Sequence, residues 1–179
     1  AADVVEIVFG RLNPRKKFGP EDVLVTTVTG DVFYTGIEGP TDKKYEVKFI
    51  TPPWTLLFEQ MASMKFLNNR AFWPKKDPDA SSSSDTLITK SSNVMKGTIN
   101  TIGKNGIDYY SPRQKKNVTV SLEDLAIVIF APPPKPPPTV PNTLVAIVSA
   151  SDGSTLQGTP KELRAGVLTL RDLWGAEHK

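Results

Sequence analysis

An internal repeat is the feature of this sequence that most constrains its fold. Apolar residues that enter and leave a polar turn and end on phenylalanine occur three times, at 1–9, 56–66 and 118–130. Strand-like segments with matching leucines, at Leu24, Leu87 and Leu144, each follow a proline-containing connector. The chain therefore divides into periods of about 60 residues, as repeat architectures do.

Each period contains about five short segments of alternating or continuously apolar character, separated by glycine- and proline-containing turns. Roughly 40 ordered residues bury little surface alone, which favours a small, strongly curved sheet that closes on itself and packs on its neighbours. Sixteen prolines leave little room for long helices. The sequence therefore predicts an all-β fold of three tandem small, strongly curved β-barrel-like units with a permuted or exchanged N-terminal strand.

The repeat also predicts the boundaries of these units. The connector Ala131–Pro141 is rich in proline and is expected to be an extended polyproline spacer. The predicted divisions are a closing strand at 1–9, unit 1 at 22–66, a linker at 67–84, unit 2 at 85–130, the polyproline linker at 131–141 and unit 3 at 142–179.

Unit 3 carries the clearest motif, Asp152-Gly153-Ser154-Thr155-Leu156-Gln157-Gly158, followed by Gly166-Val167-Leu168-Thr169-Leu170 and Trp174-Gly175. This pattern resembles the DG-x-x-L-x-G repeats of secreted planctomycete-type bacterial proteins, and it is similar to Sm-like or SH3-like small barrels. The resemblance covers most of the chain and is looser in unit 1, where Gly30-Asp31 reverses the dipeptide, and in unit 2, where Asn93 replaces it. It implies a small β-barrel and an extracellular or cell-surface location, but no single activity.

The two ends of the sequence fit together. Unit 3 reaches Lys179 before a closing strand should begin, and Ala1 to Phe9 has the pattern of that strand. An unfilled strand position exposes unpaired backbone groups. Three explanations stay open: the N-terminal strand closes unit 3 within the chain, it inserts into the next subunit, or the chain is a piece of a longer repeat array. Insertion would give a head-to-tail homopolymer, the function that we expect.

The interaction residues predicted on this basis form a donor and an acceptor. The donated strand consists of Asp3, Val4, Val5, Ile7, Val8 and Phe9. The acceptor unit contributes Val167, Leu168, Leu170 and Trp174. A third set of residues occupies equivalent turns and could either stack on a glycan or a cell-surface protein or plug the barrels: Trp54, Tyr109, Tyr110 and Trp174.

The residue inventory does not favour catalysis. The chain has no cysteine and a single histidine, His178, so a thiolate site, a histidine pair or a histidine-based triad cannot form within one chain. We predict no catalytic residue, no metal and no cofactor. The net charge of +3 is mild, so nucleic acid is not the favoured partner, and no apolar run is long enough to span a membrane. A binding module for glycan or nucleic acid, or a peripheral subunit of a larger complex, is the alternative.

Overall fold

A computed structural model of the chain describes residues 4–8, 17–42, 44–47, 54–76, 83–136, 138–139, 145–150 and 152–178. For residues 4–8, 44–47 and 54 only the backbone is described. The described residues form 15 strands and three short 3₁₀ helices. The predicted all-β class is therefore confirmed.

The strands, in chain order, are β1 (Val4–Val8), β2 (Asp22–Thr27), β3 (Val32–Gly36), β4 (Lys44–Val47), β5 (Trp54–Leu57), β6 (Met61–Phe66), β7 (Asp85–Thr89), β8 (Val94–Gly103), β9 (Gly106–Ser111), β10 (Lys116–Val120), β11 (Leu125–Ile129), β12 (Val145–Ser149), β13 (Thr155–Arg164), β14 (Val167–Asp172) and β15 (Glu177–His178). The 3₁₀ helices span Phe58–Gln60, Leu67–Phe72 and Leu122–Asp124.

Thirteen strands form one sheet in the order β1-β12-β13-β3-β2-β6-β11-β7-β8-β9-β10, with β14 joined to β13 and β15 joined to β14. β4 and β5 form a separate antiparallel hairpin. Every pairing in the large sheet is antiparallel except that of β1 with β12, which is parallel. The sheet has two different end strands, β1 and β10, and is not closed.

The hydrophobic core follows the period of the strands. Along β2, Val23 and Val25 are fully buried, whereas Leu24 between them is only partly buried. All five residues of β11 are buried. This strand lies between β6 and β7 and contributes Val128 to one core cluster and Ile127 and Ile129 to another. A continuous apolar run such as Leu125–Ile129 is typical of a strand buried on both faces. The buried apolar residues form two clusters. The main core includes Val23, Val25 and Phe33, and a smaller cluster consists of Ile88, Ile127 and Ile129.

Three turns share one pattern of backbone hydrogen bonds. In the turns at 27–31, 89–93 and 150–154, the first N–H donates to the last carbonyl over 2.9, 3.0 and 2.8 Å. The fourth residue has a positive φ in each case, at Gly30, Ser92 and Gly153. Glycine adopts this conformation at little energetic cost, which explains two of the three residues. The spacing of these turns is close to the period predicted from the sequence, and the same backbone hydrogen bond occurs in all three.

Strand pairing repeats along the chain as well. Every pair between β8 and β9 has a counterpart between β13 and β14, so that Thr98↔Tyr110 recurs as Thr159↔Arg171. The four pairs between β7 and β8 recur in the same way between β12 and β13. Gly97 and Gly158 occupy equivalent places, each in the fourth residue pair from the preceding turn. Gly36 of β3 lies in the fifth pair from the turn at 27–31. Residues 85–111 and 146–172 are thus two copies of one three-stranded arrangement.

Candidate interaction surfaces

The predicted donor strand lies at one end of the sheet. β1 pairs with β12 in the same chain, from Val4↔Val145 to Val8↔Ser149, and among the described strands it has no second partner. Asp3 and Phe9 lie outside the described residues. The first strand of the third segment (142–179) therefore has β1 as its neighbour, and the outer side of β1 is a sheet edge.

β1 differs in orientation from the closing strands of the first segment (22–66) and the second segment (85–130). β6 and β11 each follow a 3₁₀ helix and pair antiparallel with the first strand of their own segment, β2 and β7 respectively. Backbone hydrogen bonds fix the start of each closing strand, because Val28 N donates to Gln60 O over 2.9 Å and Lys90 N donates to Asp124 O over 2.8 Å. β6 and β11 also pair with each other. They are thus flanked on both sides, whereas β1 is flanked on one side and runs parallel to β12.

The predicted acceptor residues lie on another strand of the same segment. Val167, Leu168 and Leu170 belong to β14, which is separated from β12 by β13. The structure therefore does not bring β1 and β14 together by backbone pairing within one chain. Trp174 follows β14 in a turn and packs against the main core. Its indole Nε1 is buried without a hydrogen-bond partner among the described residues.

β14 has an edge that is only partly covered. The equivalent strand β9 pairs with β10 over five residues, from Ser111↔Lys116 to Ile107↔Val120. β14 pairs with β15 over two residues only, Leu170 and Arg171. Within the described ranges, residues 167–169 thus have no strand on their outer side. Such an edge is a template for pairing with another chain.

The end of the β13–β14 hairpin is more exposed than the end of the equivalent β8–β9 hairpin. Ile102 and Ile107, at the end of the β8–β9 hairpin, are fully buried. Their equivalents on β13 and β14, Leu163 and Leu168, are exposed and half-buried, with Leu163 73% exposed. Val167 is 48% exposed. The apolar end of the hairpin is therefore buried in β8–β9 of the second segment, whereas the equivalent end of β13–β14 in the third segment is uncovered.

The four aromatic residues predicted at equivalent turns do not share one surface. Tyr109 is buried in the core and Tyr110 is exposed, because neighbouring residues of a strand point to opposite faces. Trp174 is half-buried, and the side chain of Trp54 lies outside the described residues. Tyr109 and Trp174 contribute to the core, whereas Tyr110 faces solvent.

A cationic aromatic cluster lies elsewhere, after β6. The Nζ of Lys65 and the guanidinium of Arg70 lie 5.4 and 5.8 Å from the ring centroid of Trp73. The indole N–H of Trp73 donates to the carbonyl of Phe66 over 3.0 Å, which fixes the ring. Cation–π contacts at exposed sites contribute about 0.5–1 kcal/mol each. From the sequence alone Arg70 is a loop charge, since the fold is needed to place it over Trp73.

A buried polar cluster joins the first and third segments, and it was not predicted from the sequence. The carboxylate of Asp31 accepts hydrogen bonds from the hydroxyls of Thr27 and Thr29 and from the backbone N–H of Gln157, the last over 2.7 Å. The backbone N–H of Tyr34 donates to Ser154 Oγ over 2.9 Å across the same junction. These bonds join the two segments where strand pairing between β3 and β13 is limited to Val32↔Thr155.

Burial determines the electrostatics of this cluster. Desolvation raises the pKa of Asp31, and the nearby Asp172 raises it further, while the hydrogen bonds from Thr29, Gln157 and Thr27 act in the opposite direction. Asp172 is itself buried and lies 2.9 Å from Nε2 of His178. The turn sequence Gly30-Asp31 gave one signal of a polar role, but nothing in the sequence predicted its long-range partner Gln157.

We expect replacement of Asp31 by asparagine to change the pH dependence of stability. Because the pKa of Asp31 is raised in the folded protein, its contribution to stability is largest at acidic pH and falls as pH rises through about 4 and through the raised pKa. The asparagine variant lacks this titration. The free energy of unfolding of wild type minus that of Asp31→Asn should therefore decrease with rising pH, measured by urea denaturation between pH 4 and 8. A difference that increases with pH would contradict this assignment.

Other site types are not seen among the residues that the structure describes. They contain no group of three or more histidine, aspartate or glutamate residues placed to hold a metal ion. They also contain no helix long and apolar enough to cross a membrane. Comparison with protein-family models, with curated proteins and with solved structures finds no match for this chain.

Proposed function

We propose that this chain is a non-enzymatic structural protein that assembles head-to-tail by β-strand addition, with β1 as the added strand and the third segment of the next copy as the acceptor. We place it outside the cell or at the cell surface, as a filament or surface-layer subunit. The repeat is part of this proposal: residues 22–66, 85–130 and 142–179 are three barrel-like units, and the shared turn and the repeated strand register support their common origin.

The observation that carries the proposal is the edge position of β1. Its two counterparts, β6 and β11, each have a strand on both sides, whereas β1 pairs only with β12 among the described strands. Its pairing is parallel, and parallel ladders are slightly less stable per residue than antiparallel ones. An edge strand of five residues with no bulge in its register supports strand addition, in which main-chain hydrogen bonds supply the affinity.

Strand addition also fits the partial exposure of the third segment. Besides the edge of β1, the molecule has an edge at residues 167–169 of β14 that no described strand covers. Two different edges on one molecule give a heterologous contact, and heterologous contacts that do not close into a ring produce filaments. His178 is buried against Asp172, a contact that supports a structural role for the single histidine of the chain.

Removal of residues 1–8 should abolish assembly. We expect the full chain to form species larger than the 19.6 kDa monomer in light scattering coupled to size exclusion, with filaments in negative-stain images. The truncated chain should remain monomeric and keep its β-sheet circular dichroism, because β1 lies at one end of the large sheet and pairs with β12 alone among the described strands.

The matched control is Val94→Ser, which removes an exposed apolar side chain from β8 and should leave the polymers unchanged. A full chain that stays monomeric at every concentration, with slow hydrogen exchange at the amides of residues 4–8, would rule out assembly through β1. Polymers that persist after truncation would rule it out equally.

A further inference from the structure

The acceptor for the added strand can be located from the charges and the uncovered face of the third segment. This step rests on the proposed self-assembly. The β13–β14 hairpin has exposed residues from Lys161 to Val167, including the apolar Leu163 and the cations Lys161 and Arg164. Only Glu162 carries negative charge in this stretch, so the tip combines apolar surface with a net positive charge.

The equivalent hairpin of the second segment shows which kind of occupant fits. β10 lies along β9, with Val120 opposite Ile107 and Thr119 opposite Asp108. The hydroxyls of Thr101 and Thr119 both donate to the Asp108 carboxylate. At the end of the hairpin, Thr41 forms an isolated bridge with Ile102 through hydrogen bonds of 2.8 and 3.0 Å. Both occupants are extended polypeptide segments that use backbone hydrogen bonds.

β14 offers the same positions without these occupants. Leu168 and Thr169 are the equivalents of Ile107 and Asp108, and no described strand pairs with their outer side. β15 already pairs with the adjacent Leu170 and Arg171. A strand added at residues 167–169 would therefore extend an existing ladder and cover Leu163 and Val167.

The sequence of this chain contains a segment with the complementary chemistry. Residues 3–8 read Asp-Val-Val-Glu-Ile-Val, which combines β-branched apolar residues with two acids and no base. Pairing of this segment with itself in a two-fold dimer gains no attraction between opposite charges, because the segment contains no base. The hairpin tip, which contains Lys161 and Arg164, instead offers the acidic segment a net positive charge.

We propose that the outer edge of β14 and the β13–β14 hairpin tip bind β1 of a second copy of this chain, with the acidic N-terminal segment of one copy attracted to the net positive tip of the next. The two partners are then two different edges of the molecule, β1 and β14, which makes the contact head-to-tail. Complementary charge favours this heterologous pairing over the pairing of two acidic strands.

Charge reversal tests the assignment. The double variant Lys161→Glu/Arg164→Glu should raise the concentration at which polymers appear by roughly tenfold, because the tip changes from net positive to net negative and then repels the acidic segment. Adding Asp3→Lys/Glu6→Lys to the same chain should restore assembly to near the wild-type concentration. The measurement is sedimentation of polymers at low salt, since screening weakens exposed pairs at high salt.

The matched control is Lys75→Glu/Lys76→Glu, an exposed basic pair elsewhere that changes the net charge by the same amount. It should have little effect on assembly, and circular dichroism should show all variants folded. Leu163→Ser should also weaken assembly, because it removes apolar surface from the tip.

The outcomes separate this inference from the proposed function. If truncation of residues 1–8 abolishes polymers but reversal at Lys161 and Arg164 acts no more strongly than the control, the acceptor is elsewhere while assembly through β1 stands. Failure of the compensating changes to restore assembly would likewise overturn the assigned acceptor. Polymers that survive truncation would refute both.

Discussion

Replacing Phe66 by alanine should lower the free energy of unfolding by about 3–5 kcal/mol, the range measured for large aromatic residues truncated in protein cores. Phe66 is fully buried at the end of β6, opposite Val23 of β2. Truncation removes its contacts and leaves a cavity that the surrounding strands fill only in part. β6 lies at the centre of the sheet, between β2 and β11, so the loss affects both the first and second segments.

Phe72 provides the matched control, since it lies shortly after Phe66 in the chain and is 52% exposed. Phe72→Ala should change the free energy of unfolding by less than about 0.5 kcal/mol, as surface substitutions usually do. Urea denaturation followed by tryptophan fluorescence measures both variants. Equal losses in the two variants would mean that Phe66 does not lie in the core.

Gly97→Ala should destabilise the protein by about 1–3 kcal/mol or more, the range found for overpacked sites. A Cβ at this position would overlap the backbone carbonyl of Tyr110 and the ring of Tyr109. The backbone carbonyl cannot rotate away, so β8 and β9 would have to separate. Gly158→Ala should have a similar effect, because its Cβ would overlap Leu170 and the carbonyl of Arg171 at the equivalent place.

Gly36→Ala is the control for this prediction. Gly36 ends β3, and a Cβ there would meet nothing within 4 Å. Alanine should therefore be neutral or stabilising by up to about 1 kcal/mol, since glycine loses more conformational freedom on folding. Thermal and urea denaturation of the three alanine variants test the contrast. A neutral Gly97→Ala would show that the close approach of β8 and β9 is not present in solution.

The positions of the turns and strands were largely readable from the sequence, because they depend on local chemistry. The turns at 27–31, 89–93 and 150–154 are marked by glycine, aspartate, asparagine or serine, residues that accept positive φ or bond to their own backbone. The apolar residues predicted to leave the polar turn in 118–130 likewise form a strand, Leu125–Ile129. Local patterns of this kind persist whatever the strands pair with.

Pairing partners and side-chain clusters were not readable in the same way. The register of Gly36 differs by one residue from that of Gly97 and Gly158, because register depends on how each strand meets its neighbour. The contact of Asp31 with Gln157 joins residues 126 positions apart, and no local pattern encodes such a distance. The placement of Arg70 over Trp73 depends on the 3₁₀ helix Leu67–Phe72.

The sequence by itself determined that this chain is all-β and built on a period of about 60 residues, because alternation of apolar residues and the chemistry of turns act over a few residues at a time. Only the tertiary structure decided that β1 runs parallel to β12, that β6 and β11 pair with each other, and that Leu163 is exposed where Ile102 is buried. Those features depend on which segments meet across the sheet, and contacts between distant residues become fixed only when the whole chain packs.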